Sequence, residues 1–291
     1  MGSPFETVLV VTGTDKPRRS KNSPPEPTPV KRAALELGLP VLEADDVRSA
    51  DFAQSIAACK PDVIVVAAFR ILPPEVFELP PHGTFNLHGS LLPAYRGAAP
   101  VNWSIINGDA ETGVTTFFLR KSVDTGNIIT MDRTPIGQDE NASELLARLS
   151  EIGAGTVERT LRMIADGAVT PQKQDEHYVT KAPKLTRDNT RINWTQPVKL
   201  LHDFIRGLAL KPTAWTTFGG RNLKIYKAKL CADGMLPAEP GSIRTDSGRL
   251  LVSGTDGWIE LMCVQAEGKK AMDGESFARG LHAEVGTLRF F

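Results

Sequence analysis

The stretch VIVVAA at residues 63–68 decides the fold class. It consists of six consecutive apolar residues, and four of them are β-branched. A strand of a parallel sheet is covered on both faces by helices, so its sequence is continuously apolar rather than alternating. We therefore predict a parallel strand here that is buried on both faces.

Helix-period segments precede this strand. Thr28 and Pro29 provide an N-cap and a first helical residue, and Gly38 ends the segment. Its apolar residues recur with helical spacing, which predicts a buried stripe: Val30, Ala33, Ala34 and Leu37. Residues 51–59 repeat the pattern, with Cys59 expected in the core.

Further strands and helices alternate along the first two thirds of the chain. We predict strands at residues 7–11, 84–87 and 114–119, and a helix at residues 100–107. Asn141 and Glu144 form a capping box before another helix. Alternating strands and helices predict an α/β layer, a doubly wound, Rossmann-like domain.

The sequence changes character after Gly167. Residues 171–196 are polar and interrupted by prolines, and one amphipathic helix and several short strands separated by glycine turns follow. Such strands are typical of a small β-barrel or sandwich. The predicted domains are residues 1–178 and 197–291, joined by a linker at residues 179–196.

Composition excludes several functional classes. The 291 residues, enough for about two domains, include 34 basic and 34 acidic ones, so net charge favours neither a nucleic-acid coat nor a membrane surface. Three scattered cysteines and the lack of close histidine pairs argue against a disulfide framework and a metal site. The apolar run at residues 8–11 is too short for a signal or membrane segment, and we expect a soluble, cytoplasmic protein.

One motif carries candidate chemistry. Asn86 and His88 lie two residues apart at the end of a predicted strand, so both side chains face one way. An amide and an imidazole there form a pair of donors for a developing oxyanion. Asp124 would orient and charge the imidazole if its strand is a neighbour. Each of these pairs, Asn86 with His88 and Asp124 with Gly126, also occurs in ordinary hydrogen-bonded turns that have no catalytic role.

The stretch GTFNLHGSLLPAYRGAAPVNWSIINGDAETGVTT at residues 83–116, with Asp124-Thr125-Gly126 and residues 268–272 (GKKAM), resembles the folate-dependent formyltransferases. Within that family it is most similar to the enzymes that use 10-formyltetrahydrofolate to formylate methionine on initiator tRNA. The resemblance implies a C-terminal OB-like barrel that contacts tRNA, and no metal.

The resemblance also implies roles for individual residues. Asn86, His88 and Asp124 fall on the catalytic trio. The folate would be held by two segments, one around the SLLP motif and one lining the pteridine pocket: Ser90, Leu91, Leu92 and Pro93, and Phe69, Arg70, Ile71 and Leu72.

A basic, proline-rich loop is the candidate tRNA contact. Residues 16–32 contain six basic residues and Glu26, a net charge of +5, whereas residues 197–291 have thirteen basic and ten acidic residues, only +3. The resemblance assigns tRNA binding to Lys16, Arg18, Arg19 and Lys21, although Arg18-Arg19-Ser20 replaces the family's usual Gly-Arg-Gly. Charge alone equally suits a solvated loop.

Two further expectations concern the N-terminus and the acceptor. Family members begin with a strand and a helix that have no counterpart before residue 7 of this sequence, and we expect their absence to leave an exposed sheet edge and lower stability. The alternatives are a formyltransferase acting on an amino sugar nucleotide and an inactive RNA-binding relative.

Overall fold

The computed structural model describes residues 5–15, 25–232, 234–281 and 289–291. The chain divides into two compact units. The first contains the residues up to His88 together with Thr116–Ile129 and Arg159–Gln174. The second contains Gly89–Thr115, Thr130–Glu158 and Asp175–Phe291.

Short strands and helices alternate through the first part of the chain, and strands dominate the last part. The strands are β1 (Val10–Thr12), β2 (Val41–Glu43), β3 (Ile64–Ala67), β4 (Thr84–His88), β5 (Arg96–Gly97), β6 (Glu111–Phe118), β7 (Ile128–Pro135), β8 (Lys181–Ala182), β9 (Ala214–Phe218), β10 (Arg221–Leu230), β11 (Ile243–Asp246), β12 (Arg249–Ser253), β13 (Trp258–Ala266) and β14 (Met272–Asp273). The helices are α1 (Pro29–Glu36), α2 (Ala50–Ala58), α3 (Pro74–Phe77), α4 (Pro100–Ile106), α5 (Ala142–Ala165), α6 (Val198–Gly207) and α7 (Gly274–Arg279).

Parallel pairing confirms the predicted α/β layer. β1 pairs with β2, and β3 pairs with β4, in both cases parallel. The order of the larger sheet is β3-β4-β6-β7. Side-chain caps start the helices: Thr28 Oγ1 accepts from Lys31 N, and the predicted capping box joins Asn141 N to Glu144 Oε2 at 2.9 Å.

The prediction that β3 is buried on both faces is wrong. Val66 is buried, but Val65 is 40% exposed and Ala67 is also exposed. Among the residues that the structure describes, β3 is the end strand of its sheet, so one of its edges has no strand neighbour to support covering side chains.

The prediction of a buried stripe on α1 is also wrong. Only Ala34 is buried, whereas Val30 is 55% and Leu37 is 73% exposed. The helix lies against β1 and β2, and a two-stranded sheet is too narrow to cover the whole stripe. Cys59, expected in the core, is half-buried at the end of α2.

The C-terminal strands form one antiparallel sheet in the order β11-β12-β13-β10-β9, and β14 pairs with β13. The inward-facing residues of β10, among them Leu223 and Ile225, are fully buried with α6 residues Leu201 and Ile205. The expected small β domain is therefore confirmed, and its closure into a barrel stays a prediction.

The segment expected to be a linker, residues 179–196, contains regular structure. β8 pairs with β5 directly after the SLLP motif, and Trp103 Nε1 donates to Pro183 O at 2.8 Å. Further along, Ile192 N donates to Trp215 O at 2.8 Å. Hydrogen bonds thus attach both ends of the segment to the rest of the second unit.

A cluster of buried charges surrounds α6. Asp203 is 1% exposed, and its carboxylate accepts from Lys199 Nζ and from Arg206 Nε. Arg206 Nη1 also donates to Glu140 O at 2.7 Å. His202 is 3% exposed, its Nε2 lies 3.5 Å from Asp139 Oδ1, and its Nδ1 has no hydrogen-bond partner among the described residues.

Burial lowers the pKa of His202, and the positive charge of Arg206 adds to that effect, while Asp203 and Asp139 oppose it. The unfolded pKa is about 6.5, so the unfolded chain binds the proton first as the pH falls. Above the unfolded pKa, the neutral histidine therefore contributes fully to stability. This contribution is lost as the pH falls through the lower pKa of the native state.

We predict that His202→Asn reduces the acid sensitivity of stability. Between pH 7.5 and pH 5 the free energy of unfolding of the wild type, measured by urea denaturation, should fall further than that of the variant, by about 1.4 kcal/mol per unit of pKa difference. The exposed His82 provides a matched control, because His82→Asn should keep the wild-type pH dependence. Equal acid sensitivity of wild type and His202→Asn would contradict the role of His202.

Candidate active site

Asn86 and His88 are presented by one face of β4. Alternation along the strand places Thr84, Asn86 and His88 on the same side, and we call these three side chains the β4 row. Phe85, on the opposite face, is fully buried and fixes the strand in the core. Asn86 is partly exposed on the same face as His88, which the predicted pair of donors requires.

The imidazole of His88 is held in place by an aromatic contact. His88 is 6% exposed, and its ring meets the Phe117 ring edge-on, with centroids 6.4 Å apart. Phe117 lies on β6, the strand next to β4. The neighbouring strand therefore restricts the orientation of the imidazole.

Asp124 lies in the connection between β6 and β7, residues 119–127, which we call the Asp124 loop. The predicted condition for its approach to His88 is met, since β6 is the neighbour of β4. However, Leu119 N donates to Thr84 O at 2.8 Å, so the loop begins beside the first residue of β4. His88 is four residues further along, about 13 Å, and the loop must run back along β4 to bring the carboxylate there.

Two residues fix the backbone of the Asp124 loop. Gln174 is 4% exposed, and its Nε2 donates to Asp124 O at 2.9 Å and to Gly126 O at 2.8 Å. At Gly126 a Cβ atom would lie 1.6 Å from Phe118 O, so only glycine fits. Asp124 itself has a φ of +55°, a conformation that this anchoring sustains.

Sequence reasoning missed Gln174. It lies between Lys173 and Asp175 in a polar, proline-interrupted stretch, where a glutamine is expected on the surface. Its burial arises from long-range contacts with the Asp124 loop, and no local pattern signals them.

The SLLP motif forms a tightly hydrogen-bonded loop in the second unit. Leu92 N donates to Thr115 Oγ1 at 3.1 Å, and that hydroxyl donates to Ser90 O at 2.7 Å. Ser90 is fully buried and its hydroxyl donates to Ala94 O. Ser90 thus shapes the loop, and Leu91 and Pro93 are the partly exposed side chains of the motif.

The other predicted folate segment is divided between core and surface. Phe69 and Leu72 pack into the core of the first unit. Ile71 is 64% exposed, and Arg70 is exposed with Nη1 donating to Asp45 O. Ile71 and Arg70 are therefore the residues of this segment available to a ligand.

The predicted tRNA-binding residues Lys16, Arg18, Arg19 and Lys21 lie outside the described residues. Two other cations of residues 16–32 have acidic partners. Lys31 Nζ bonds to Asp15 and Glu43, which raises the pKa of Lys31, and Arg32 lies 3.4 Å from Glu26.

Two features that would indicate other functions are absent from the described residues. These residues contain no group of three or more histidine, cysteine, aspartate or glutamate side chains placed to hold a metal ion. No helix among them is both long and apolar enough to span a membrane.

Comparison with known families decides the assignment. The formyl transferase model matches residues 2–161, and the model of the formyl transferase C-terminal domain matches residues 184–282. The chain belongs to the formyl transferase family.

Similar curated proteins are named for one activity. A methionyl-tRNA formyltransferase from Chlorobium luteolum is 58% identical over 287 residues, which make up 98% of this chain and 91% of that protein. One from Parabacteroides distasonis is 41% identical over 288 residues, covering 95% and 88%.

Solved structures share the fold of this formyl transferase chain. HypX from Aquifex aeolicus, in complex with tetrahydrofolic acid, gives a TM-score of 0.64 at 20% identity over 86% of this chain and 43% of that one. The N-formyltransferase from Helicobacter canadensis, with folinic acid and dTDP-3-aminofucose, gives 0.63 at 22% identity over 81% of each.

We predict that Gln174→Met lowers turnover of formyl transfer about 10- to 100-fold, because loss of both amide hydrogen bonds lets the backbone at Asp124 shift. Steady-state kcat measures this. Gln172→Met is the matched control, since the side chain of Gln172 is exposed. Wild-type kcat in a folded Gln174→Met protein would show that Gln174 has no positioning role.

Proposed function

We propose that this chain transfers the formyl group of 10-formyltetrahydrofolate to the amino group of methionine carried by initiator tRNA, in the cytoplasm. The observation that carries the proposal is the common face of Asn86 and His88 on β4. Near-full-length similarity to proteins named methionyl-tRNA formyltransferase supports the choice of acceptor.

The chemistry follows from the donors. The neutral amine attacks the formyl carbon, a carbon–nitrogen bond forms, and the carbonyl oxygen becomes an oxyanion. The Asn86 amide and the His88 imidazole stabilise that charge by hydrogen bonds. Asp124 orients His88 and helps a proton pass from the attacking nitrogen to the leaving folate nitrogen as the second carbon–nitrogen bond breaks.

The folate would be held by the segments that the resemblance selects. A pteridine ring has apolar faces and polar edges, and the exposed Ile71 next to Arg70 offers matching chemistry. Leu91 and Pro93 add apolar surface from the rigid SLLP loop. Lys16, Arg18, Arg19 and Lys21 would contact phosphates of the tRNA. Residues 1–178 would form the catalytic domain, and residues 197–291 the tRNA-contacting one.

A second acceptor class has support from a structural likeness. The similar fold from Helicobacter canadensis was solved with dTDP-3-aminofucose, an amino sugar nucleotide. An assay must therefore offer both acceptors, each with labelled 10-formyltetrahydrofolate.

We predict label on methionyl-tRNA, none on uncharged tRNA, and at least 100-fold slower transfer to an amino sugar nucleotide. A faster reaction with the amino sugar would replace the proposed acceptor. Folate binding without transfer to either acceptor, in a chain that circular dichroism shows to be folded, would indicate an inactive relative.

We also predict that Asn86→Ala and Asp124→Ala each lower kcat by about 100-fold or more, the usual effect of removing one oxyanion donor or its support. Thermal melts should show that both variants stay folded. Val123→Ala, in the same loop as Asp124, is the control and should keep wild-type turnover, because the side chain of Val123 is 52% exposed. Near wild-type kcat in either test variant would refute the catalytic assignment.

A further inference from the structure

The carboxyl ends of β1 and β2 carry an ion-pair cluster. Its members are Asp15, three residues after β1, Lys31, in the first turn of α1, and Glu43, the last residue of β2. Lys31 Nζ donates to Asp15 Oδ2 at 2.8 Å and to Glu43 Oε1, and Asp15 N donates to Glu43 Oε2 at 3.2 Å. Each member is thus bonded to both of the others. We call the three residues the Lys31 clamp.

Helix stability does not explain the lysine at this position. The N-terminus of a helix carries a partial positive charge, so acidic side chains stabilise the first turn and basic ones destabilise it. The first turn of α1 has no acidic residue and contains Lys31. The bonds to Asp15 and Glu43 therefore account for the lysine, since the two carboxylates offset its unfavourable place on the helix.

The clamp is partly shielded from solvent. The side chain of Lys31 is 16% exposed and that of Asp15 is 24% exposed. Asp15 Oδ1 is buried and has no hydrogen-bond partner among the described residues, so the bond from Lys31 to Oδ2 carries the compensation of this carboxylate. A shielded charge that loses its partner is costly. Removing Lys31 would therefore drive Asp15 out of its present place.

The clamp is unsuited to binding phosphate. One ammonium and two carboxylates give it a net charge of −1, and the ammonium is already bonded to both carboxylates. Lys31 differs in this respect from the proposed tRNA contacts, although it lies in the same basic stretch of sequence, residues 16–32. Its role lies in what the clamp holds.

The clamp holds one end of the chain segment that carries the proposed tRNA contacts, and a second contact holds the other end. Lys16, the first of those contacts, directly follows Asp15 in the sequence. Thr28, the N-cap of α1, has its hydroxyl oxygen 2.6 Å from that of Thr12, which is buried at the end of β1. Asp15 and Thr28 are therefore fixed to the same end of the β1–β2 sheet.

We infer that Lys31 is a positioning residue for the acceptor tRNA, which acts by fixing Asp15 at the start of the tRNA-binding segment, and that it is not itself a phosphate contact. The inference rests on the proposed function. A segment whose ends are already fixed loses less conformational freedom when it binds. Loss of the clamp should therefore weaken the binding of tRNA and leave the chemical step and the folate unaffected.

The test uses two variants for which simple charge attraction predicts opposite effects. Lys31→Met removes a cation, and Asp15→Asn/Glu43→Gln removes two negative charges. If Lys31 bound phosphate, the first variant would bind tRNA more weakly and the second more tightly. We expect instead that the KM for methionyl-tRNA rises about fivefold or more in both, because both break the clamp. The kcat and the KM for 10-formyltetrahydrofolate should stay near their wild-type values.

Two further variants serve as controls, and thermal melts should show that all the variants are folded. Glu36→Gln/Asp62→Asn neutralises two exposed carboxylates elsewhere in the described part of the first unit, and should leave the KM for methionyl-tRNA unchanged or lower it. Lys31→Met combined with Asp15→Asn/Glu43→Gln should raise that KM no further than the more severe of the two separate changes, because both break the same contacts.

Three outcomes would overturn the inference. A lower KM for methionyl-tRNA in Asp15→Asn/Glu43→Gln would make Lys31 a phosphate contact. An equal rise in both KM values, or a fall in kcat, in a folded Lys31→Met protein would reduce the clamp to general support of the fold. Unchanged KM values in both variants would exclude a role in tRNA binding. If the wild type formylates no tRNA, the proposed function fails separately, and the Kd of uncharged initiator tRNA for the same variants still decides between the two signs.

Discussion

The register between β3 and β4 is the constraint on which the rest of the site depends. Ile64 pairs with Thr84 and Ala67 pairs with Leu87 in a parallel ladder. A slip of one residue would turn Phe85 and Leu87 to the face that now carries Asn86 and His88, and would turn those two side chains to the opposite face. Phe85 opposes such a slip, because it is fully buried and would lose its place in the core. Packing energy on one face thus maintains the chemistry of the other.

A second set of interactions acts on the Asp124 loop. Gln174 and Gly126 fix its backbone from the inside, whereas Arg120 and Lys121 face solvent on its outer side. A glutamine buried between two carbonyl groups is costly to displace, since both acceptors would lose their donor. The same short loop therefore combines a fixed backbone with exposed, charged side chains.

The sequence predicts the local parts of this architecture well. Alternating strands and helices, the capping box at Asn141 and the strand carrying Asn86 and His88 depend on near neighbours in the chain, and the structure shows each of them. The exposure of Val65 and Leu37 was not predictable in the same way. Their apolar sequence fits burial, but burial depends on which distant elements are there to cover them.

The same limit applies to the candidate site. The spacing of Asn86 and His88 predicts a shared face, because side-chain direction alternates along any strand. Gln174 gave no signal, since its burial depends on how segments distant in sequence fold together. Motif reasoning finds groups on one regular element, and it misses groups that only the tertiary fold assembles.

The pairing of β5 with β8 gives the connection between the two halves of the chain a defined length. β5 starts three residues after Pro93, and Tyr95 N and Arg96 N both donate to Thr180. A residue inserted between Thr180 and Pro183 would have to break this ladder or move the end of the SLLP loop. Residues 184–186 follow the ladder and are held by local hydrogen bonds instead, among them Thr186 N to Asn189 Oδ1 at 2.7 Å. The connection thus acts as a spacer of fixed length next to the SLLP loop.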